Sequence, residues 1–102
     1  MIRHAVMFNL LPSATNEQFE AVARAARYSL TRIPGVRNLA ISNSFEAVQP
    51  PRYQYGLTME FDNEQVMRSY LDHPLHQEFR KIFFAIRDDY LVMTFKELEV
   101  PR

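Results

Sequence analysis

The sequence predicts a single α+β domain of order β-α-β-β-α-β, built as one four-stranded antiparallel sheet with its helices on one face. Three observations carry this expectation. Segments that alternate with period two open the chain, close it and occupy its middle, and segments of helical period run between them. The chain has 102 residues, so one domain over 1–102 is expected, because two halves would each be too small to bury a core. The opening strand carries apolar residues on both sides of its pleat, so both faces of the sheet need cover.

Ile2 to Leu10 reads as a strand, with Ile2, His4, Val6 and Phe8 on one side and Arg3, Ala5, Met7 and Asn9 on the other. Pro12 and Ser13 end it. Thr15 and Gln18 have the spacing of a capping box. Phe19, Val22, Ala23, Ala26, Leu30 and Ile33 follow at helical spacing until Pro34-Gly35 stops the helix. Val36 to Ser44 is a second strand, Glu46 to Arg52 a proline-containing loop, and Tyr53 to Phe61 a third strand. Asp62 or Asn63 caps a short helix to about Leu71. His73-Pro74 restarts the chain, since proline fits a helix's first turn. Phe79, Ile82, Phe83 and Ile86 give this last helix an apolar stripe, and Tyr90 to Leu98 is the last strand. The order is that of the ferredoxin-like split βαβ arrangement. Helices cover one face of such a sheet, and a second copy packing sheet to sheet would cover the other.

Composition excludes several classes. Lys+Arg and Asp+Glu are 12 each, and a net charge of zero lacks the footprint of a nucleic-acid binder. There is no cysteine, hence no disulfide, thiolate metal site or cysteine nucleophile. Two glycines leave no Gly-rich phosphate cradle. No stretch approaches the roughly 20 apolar residues of a membrane span. The start MIRHAVMFNL is too short and too soon interrupted for a signal peptide, so a cytoplasmic location is expected. Aromatic residues are 13% of the chain, a surplus that favours a subunit interface.

Four segments carry a family resemblance: Ile2-Arg3-His4-Ala5-Val6-Met7-Phe8, Ile33-Pro34-Gly35-Val36, Glu60-Phe61-Asp62 and Tyr70-Leu71-Asp72-His73-Pro74-Leu75-His76. In their order and spacing they resemble the stress-responsive dimeric α/β-barrel (Dabb) family over residues 2–96. The resemblance implies that two ferredoxin-like protomers pair through their sheets into a shared α/β barrel. The family includes plant stress proteins and a plant polyketide-cyclase branch that closes poly-β-ketone chains by aldol condensation. It fixes fold better than function.

In the cyclase branch a histidine acts as base beside a tyrosine six residues earlier, and these positions are His76 and Tyr70 here. The implied chemistry is sound. Enolising a carbon next to a ketone needs a base that is neutral near pH 7, and a phenol can donate to the developing oxyanion. No metal or cofactor is then required. The bland alternative is that His76 only bonds backbone in a helix's first turn. His4 shares a strand face with Val6 and Phe8; Phe8 is expected to line the pocket, and His4 to line it as a positioning residue or else to be a satisfied core histidine. Tyr55 stands where the branch can carry a further histidine, and Ala26 where it has a pocket tyrosine, which implies a changed lining. Phe79 and Phe83 are core residues that can also wall a pocket under their helix. His73 is expected to cap that helix. Three imidazoles without a carboxylate shell make weak evidence for a metal.

Three functions stay open on the sequence. One is an enzyme performing acid–base chemistry, by aldol closure or enolisation, on a small apolar ketone-bearing or phenolic molecule. Another is a non-catalytic ligand-binding or stress-protective homodimer. The third, by fold analogy alone, is a cofactor-free or haem-linked monooxygenase.

Overall fold

Strand β1 spans Ile2–Leu10, helix α1 Asn16–Tyr28, strand β2 Arg37–Asn43, strand β3 Tyr55–Phe61, helix α2 Glu64–Asp72, helix α3 Pro74–Phe84 and strand β4 Arg87–Lys96. These come from a computed structural model that describes residues 1–46 and 51–101. The strands form one antiparallel sheet in the order β2-β3-β1-β4. The ferredoxin-like arrangement is thus the observed one.

The local signals act as their chemistry dictates. Thr15 accepts from the Gln18 backbone N–H while the Gln18 side chain accepts from the Thr15 N–H, closing the capping box on α1. Asn63 caps α2 by accepting from the Val66 N–H. Gly35 has a φ of 90°, and a Cβ there would collide with Val66, so glycine is required where α1's exit passes under α2.

Several boundaries differ from the sequence expectation, β2 by one residue at each end and β4 by ending at Lys96, and three of the differences have a structural cause. The first helix stops at Tyr28, and a 3₁₀ turn at Leu30–Arg32 replaces its last turn. There the Thr31 hydroxyl donates to the Arg27 carbonyl at 2.6 Å, a side-chain bond that competes with helix continuation. β3 starts at Tyr55, two residues late. Gln54 is instead bonded to β1: its N–H donates to Asn9 Oδ1, and its Oε1 accepts from the Leu10 N–H, both at 2.8 Å. β4 starts at Arg87, earlier than expected, because an irregularity between Phe8 and Leu10 brings Leu10 opposite Arg87. The loop expected over Glu46 to Arg52 falls partly on residues 47–50, outside the described residues.

The core lies between the sheet and the helices. Phe8, Leu57, Met59 and Phe61 from the strands meet Val22, Ala26, Tyr70, Phe79 and Phe83 from the helices. Ile82, placed by its spacing on α3's apolar stripe, is 39% exposed instead. The buried row on α3 runs from Phe79 to Phe83, and Ile82 flanks it. On the opposite face of the sheet, Ala5 sits across from Met93, Met7 across from Leu91 and Arg3 across from Phe95. Leu91, Met93 and Phe95 are 43%, 41% and 51% exposed, leaving a continuous apolar surface on the single chain. Among the described residues, no helix is long and apolar enough to cross a membrane.

Candidate functional site

The helix interruption at His73-Pro74 organises the site. Pro74 has no N–H, and its predecessor takes an extended conformation with ψ 140°. His73 caps α3 as expected: its Nδ1 accepts from the Leu75 N–H at 3.1 Å. In an unbroken helix that N–H would bond to the Leu71 carbonyl. The carbonyl is freed, and the Gln77 side-chain amide bonds it at 2.9 Å. His76 Nδ1 lies 2.9 Å from the same oxygen. A carbonyl only accepts, so Nδ1 is the protonated nitrogen and Nε2 carries the lone pair. Backbone geometry therefore assigns the tautomer.

His76 lines a cavity of about 360 Å³ between α3, the end of α2 and the inner faces of β1 and β4. Tyr70, on the last turn of α2, packs its ring 4.6 Å from the His76 imidazole, centroid to centroid. His4 enters from β1, 6.4 Å from the Tyr70 ring, and its Nδ1 lies 2.9 Å from the hydroxyl of Thr94 across the β1–β4 pair. Val6, Leu57, Phe79 and Phe83 make the interior apolar. β4 is the edge strand, and its inward-facing Val92 is 47% exposed, so the cavity opens along that edge.

Burial controls the protonation states. It pushes the His76 pKa below the ordinary 6.5; the bond to Leu71 opposes this, and the nearby Arg80 guanidinium reinforces it. His4 is lowered too, first by burial and then by the neighbouring His76. Burial drives the Tyr70 phenol well above its ordinary 10.0, so it keeps its proton. At neutral pH the shifts thus favour uncharged imidazoles beside a phenol that keeps its proton to donate.

Five of the eight side chains singled out from sequence meet around this cavity: His4, Tyr70, His76, Phe79 and Phe83. Phe8, Tyr55 and Ala26 do not line it, which corrects the expected wall. Tyr55 stands at the start of β3, stacked 4.5 Å from Phe19 and 5.6 Å from Phe8. Phe8 sits behind Phe83 at 4.9 Å, and Ala26 is fully buried on α1. Arg80, Phe84 and Val92 line the cavity without having been singled out. The first two were within reach of sequence reasoning, because Arg80 and Phe84 follow His76 at intervals of four on one helix. Among the described residues no three His, Cys, Asp or Glu side chains are grouped to hold a metal. Arg3, Arg37 and Arg52 are drawn off into surface pairs with Glu60, Asp62 and Asp89.

The profile of the family described as "Stress responsive A/B Barrel Domain" (Dabb) matches residues 2–97, nearly the whole chain. The chain belongs to the Dabb family. A Dabb protein of ferredoxin-like fold from Mesorhizobium loti is 24% identical, with a TM-score of 0.83 over 96% of this chain and 97% of that one. A dimeric ferredoxin-like protein of unknown function from Thermobifida fusca is 26% identical, with a TM-score of 0.80 over 92% and 88%. The hydroxynitrile lyase of Passiflora edulis is 15% identical at a TM-score of 0.87 over 99% and 96%, a likeness of fold alone. A sequence search of curated proteins returns no match. Dabb membership therefore rests on the whole domain.

Proposed function

We propose that this Dabb chain forms a sheet-to-sheet homodimer, closing an α/β barrel, in which each copy binds a small, largely apolar carbonyl-bearing molecule and catalyses proton transfer at the carbon beside that carbonyl. The interface is supported by the exposed Leu91, Met93 and Phe95 face and by the dimeric relative from Thermobifida fusca. The observation that carries the chemistry is the 2.9 Å contact between His76 Nδ1 and the Leu71 carbonyl, from which the tautomer is assigned. The Nδ1 proton is engaged by Leu71, so the basic Nε2 is available in an apolar cavity beside a protonated phenol.

The step balances without a cofactor. Nε2 takes the proton from the carbon, the C–H electron pair becomes the enolate, and the Tyr70 hydroxyl donates a hydrogen bond to the enolate oxygen. Returning the proton to carbon gives simple enolisation. If the enolate carbon attacks a second carbonyl in the same molecule, a C–C bond forms, and the new alkoxide takes the proton from His76, which is polyketide-cyclase-like aldol closure.

The test is hydrogen–deuterium exchange at the central carbon of 1-phenylbutane-1,3-dione in D₂O, followed by NMR. Native protein should accelerate exchange, and His76→Ala should lose about a hundredfold or more of that acceleration. Equal rates for the two, with an intact fold, refute the base assignment. A second reading, a ligand-holding dimer without turnover, draws on Tyr70, whose ring stacks against the imidazole without a hydrogen bond between them. It predicts diketone binding with no acceleration in either protein.

A further inference from the structure

Arg80 follows His76 by four residues on α3, so the two side chains leave the same strip of the helix. Both line the cavity. His76 is partly buried and Arg80 exposed, which sets the imidazole inside and the guanidinium at the opening. The guanidinium lies over the Phe84 ring, 5.0 Å from its centroid, and Phe84 lines the same opening. Such stacking holds a cation in place without neutralising it.

Arg80 also keeps its charge unpaired. Arg3, Arg37, Arg52 and Arg68 each meet a carboxylate at 3.1–3.2 Å. Among the described residues Arg80 meets none, nor do Arg24, Arg27, Arg32 and Arg87, but of these only Arg80 lines the cavity; Asp72, the one carboxylate on the lining, forms no ion pair with it. Arg87, likewise without a carboxylate, packs its guanidinium behind the lining, 4.8 Å from the Phe84 ring and 4.2 Å from the Tyr90 ring, so Arg80 is the guanidinium on the lining itself. An apolar interior with an unpaired guanidinium at its opening matches a molecule with an apolar body and one negative charge. A carboxylate fits the planar fork of arginine. With Asp72 on the same lining, a multiply charged phosphate is disfavoured.

We propose that the cavity selects small amphipathic carboxylates, with an aromatic or alkyl body among Phe79, Phe83 and Val6 and the acid group held by Arg80. This rests on the reading of the cavity as a ligand site given above. Arg80 is then a specificity-determining residue that selects by charge, while His76 and Tyr70 act on the carbonyl.

Titrations of ¹⁵N-labelled protein with 1-naphthoate and with neutral 1-acetonaphthone, followed by NMR, test it. Native protein should bind naphthoate more tightly than the ketone, with shifts at His76 and Arg80, and added salt should shrink the difference. Arg80→Met should weaken naphthoate about fivefold, the scale of one exposed ion pair, and change the ketone far less. Arg80→Lys should recover part of the loss. Ketone binding with no preference for naphthoate, or equal weakening of both probes by Arg80→Met, overturns the role of Arg80 and leaves the ligand cavity standing. Failure of native protein to bind either probe overturns both.

Discussion

The rings of Tyr70 and His76 lie 4.6 Å apart in a tilted arrangement, yet the imidazole Nδ1 bonds the carbonyl of Leu71 rather than the phenol. The two groups are therefore neighbours with separate duties. Tyr70→Phe should leave thermal stability within about 0.5 kcal/mol of native, because the ring and its packing survive. The same variant should slow diketone exchange about tenfold or more, through loss of the donor to the enolate. Thermal melts and exchange rates measured on one preparation check both halves. A large loss of stability would mean that the hydroxyl holds the fold rather than the ligand.

The lowered pKa values of His4 and His76 set a pH dependence. Between those values and the unfolded 6.5, the unfolded chain binds protons that the folded chain does not. The stability from neutral burial is therefore complete above about pH 6.5 and is lost as pH falls through the depressed folded values. The melting temperature should drop between about pH 7 and pH 5, and the drop should be shallower in a His4→Gln/His76→Gln double variant. Exchange activity should rise through the lowered His76 value and already be flat at neutral pH. An unchanged slope in the double variant would remove the histidines from the account.

Placing a charge in the exposed sheet face tests the dimer. Met93 lies opposite Ala5 in the middle of that face. Met93→Asp should convert a dimer to a monomer in sedimentation velocity at micromolar concentration, since an unpaired buried charge is strongly disfavoured in an interface. Native protein that already sediments as a monomer would end the sheet-to-sheet proposal.

Gly35→Ala should destabilise the protein by about 1–3 kcal/mol, from its positive φ together with the collision with Val66. Urea unfolding measures it. Pairing Gly35→Ala with Val66→Ala should recover the steric part and leave the backbone part. No recovery would assign the whole loss to backbone conformation.

Element types were legible in the sequence because they depend on local chemistry: the alternation of Ile2, His4, Val6 and Phe8, the Thr15/Gln18 box and the proline restart at Pro74. Boundaries were less legible because nonlocal bonds move them. Gln54 leaves the β3 ladder for Asn9 and Leu10, 44 to 45 residues away in sequence. The candidate site divides the same way. His76, Tyr70 and His4 were found through a short motif and a strand face. Thr94 and Val92 enter only through the β1–β4 register, and Tyr55 leaves because its end of the sheet is filled by Phe19 and Phe8.

The freed Leu71 oxygen bears on how such a domain can diversify. Which nitrogen of His76 is basic depends on main-chain atoms at a proline junction, not on the side chains around the ligand. Val6, Leu57, Phe79 and Val92 can then be exchanged to suit a new guest while the reactive nitrogen stays where it is. Under the proposed base role of His76, reactivity and selectivity would reside in separable parts of the chain, and one scaffold could pass from molecule to molecule without rebuilding its base.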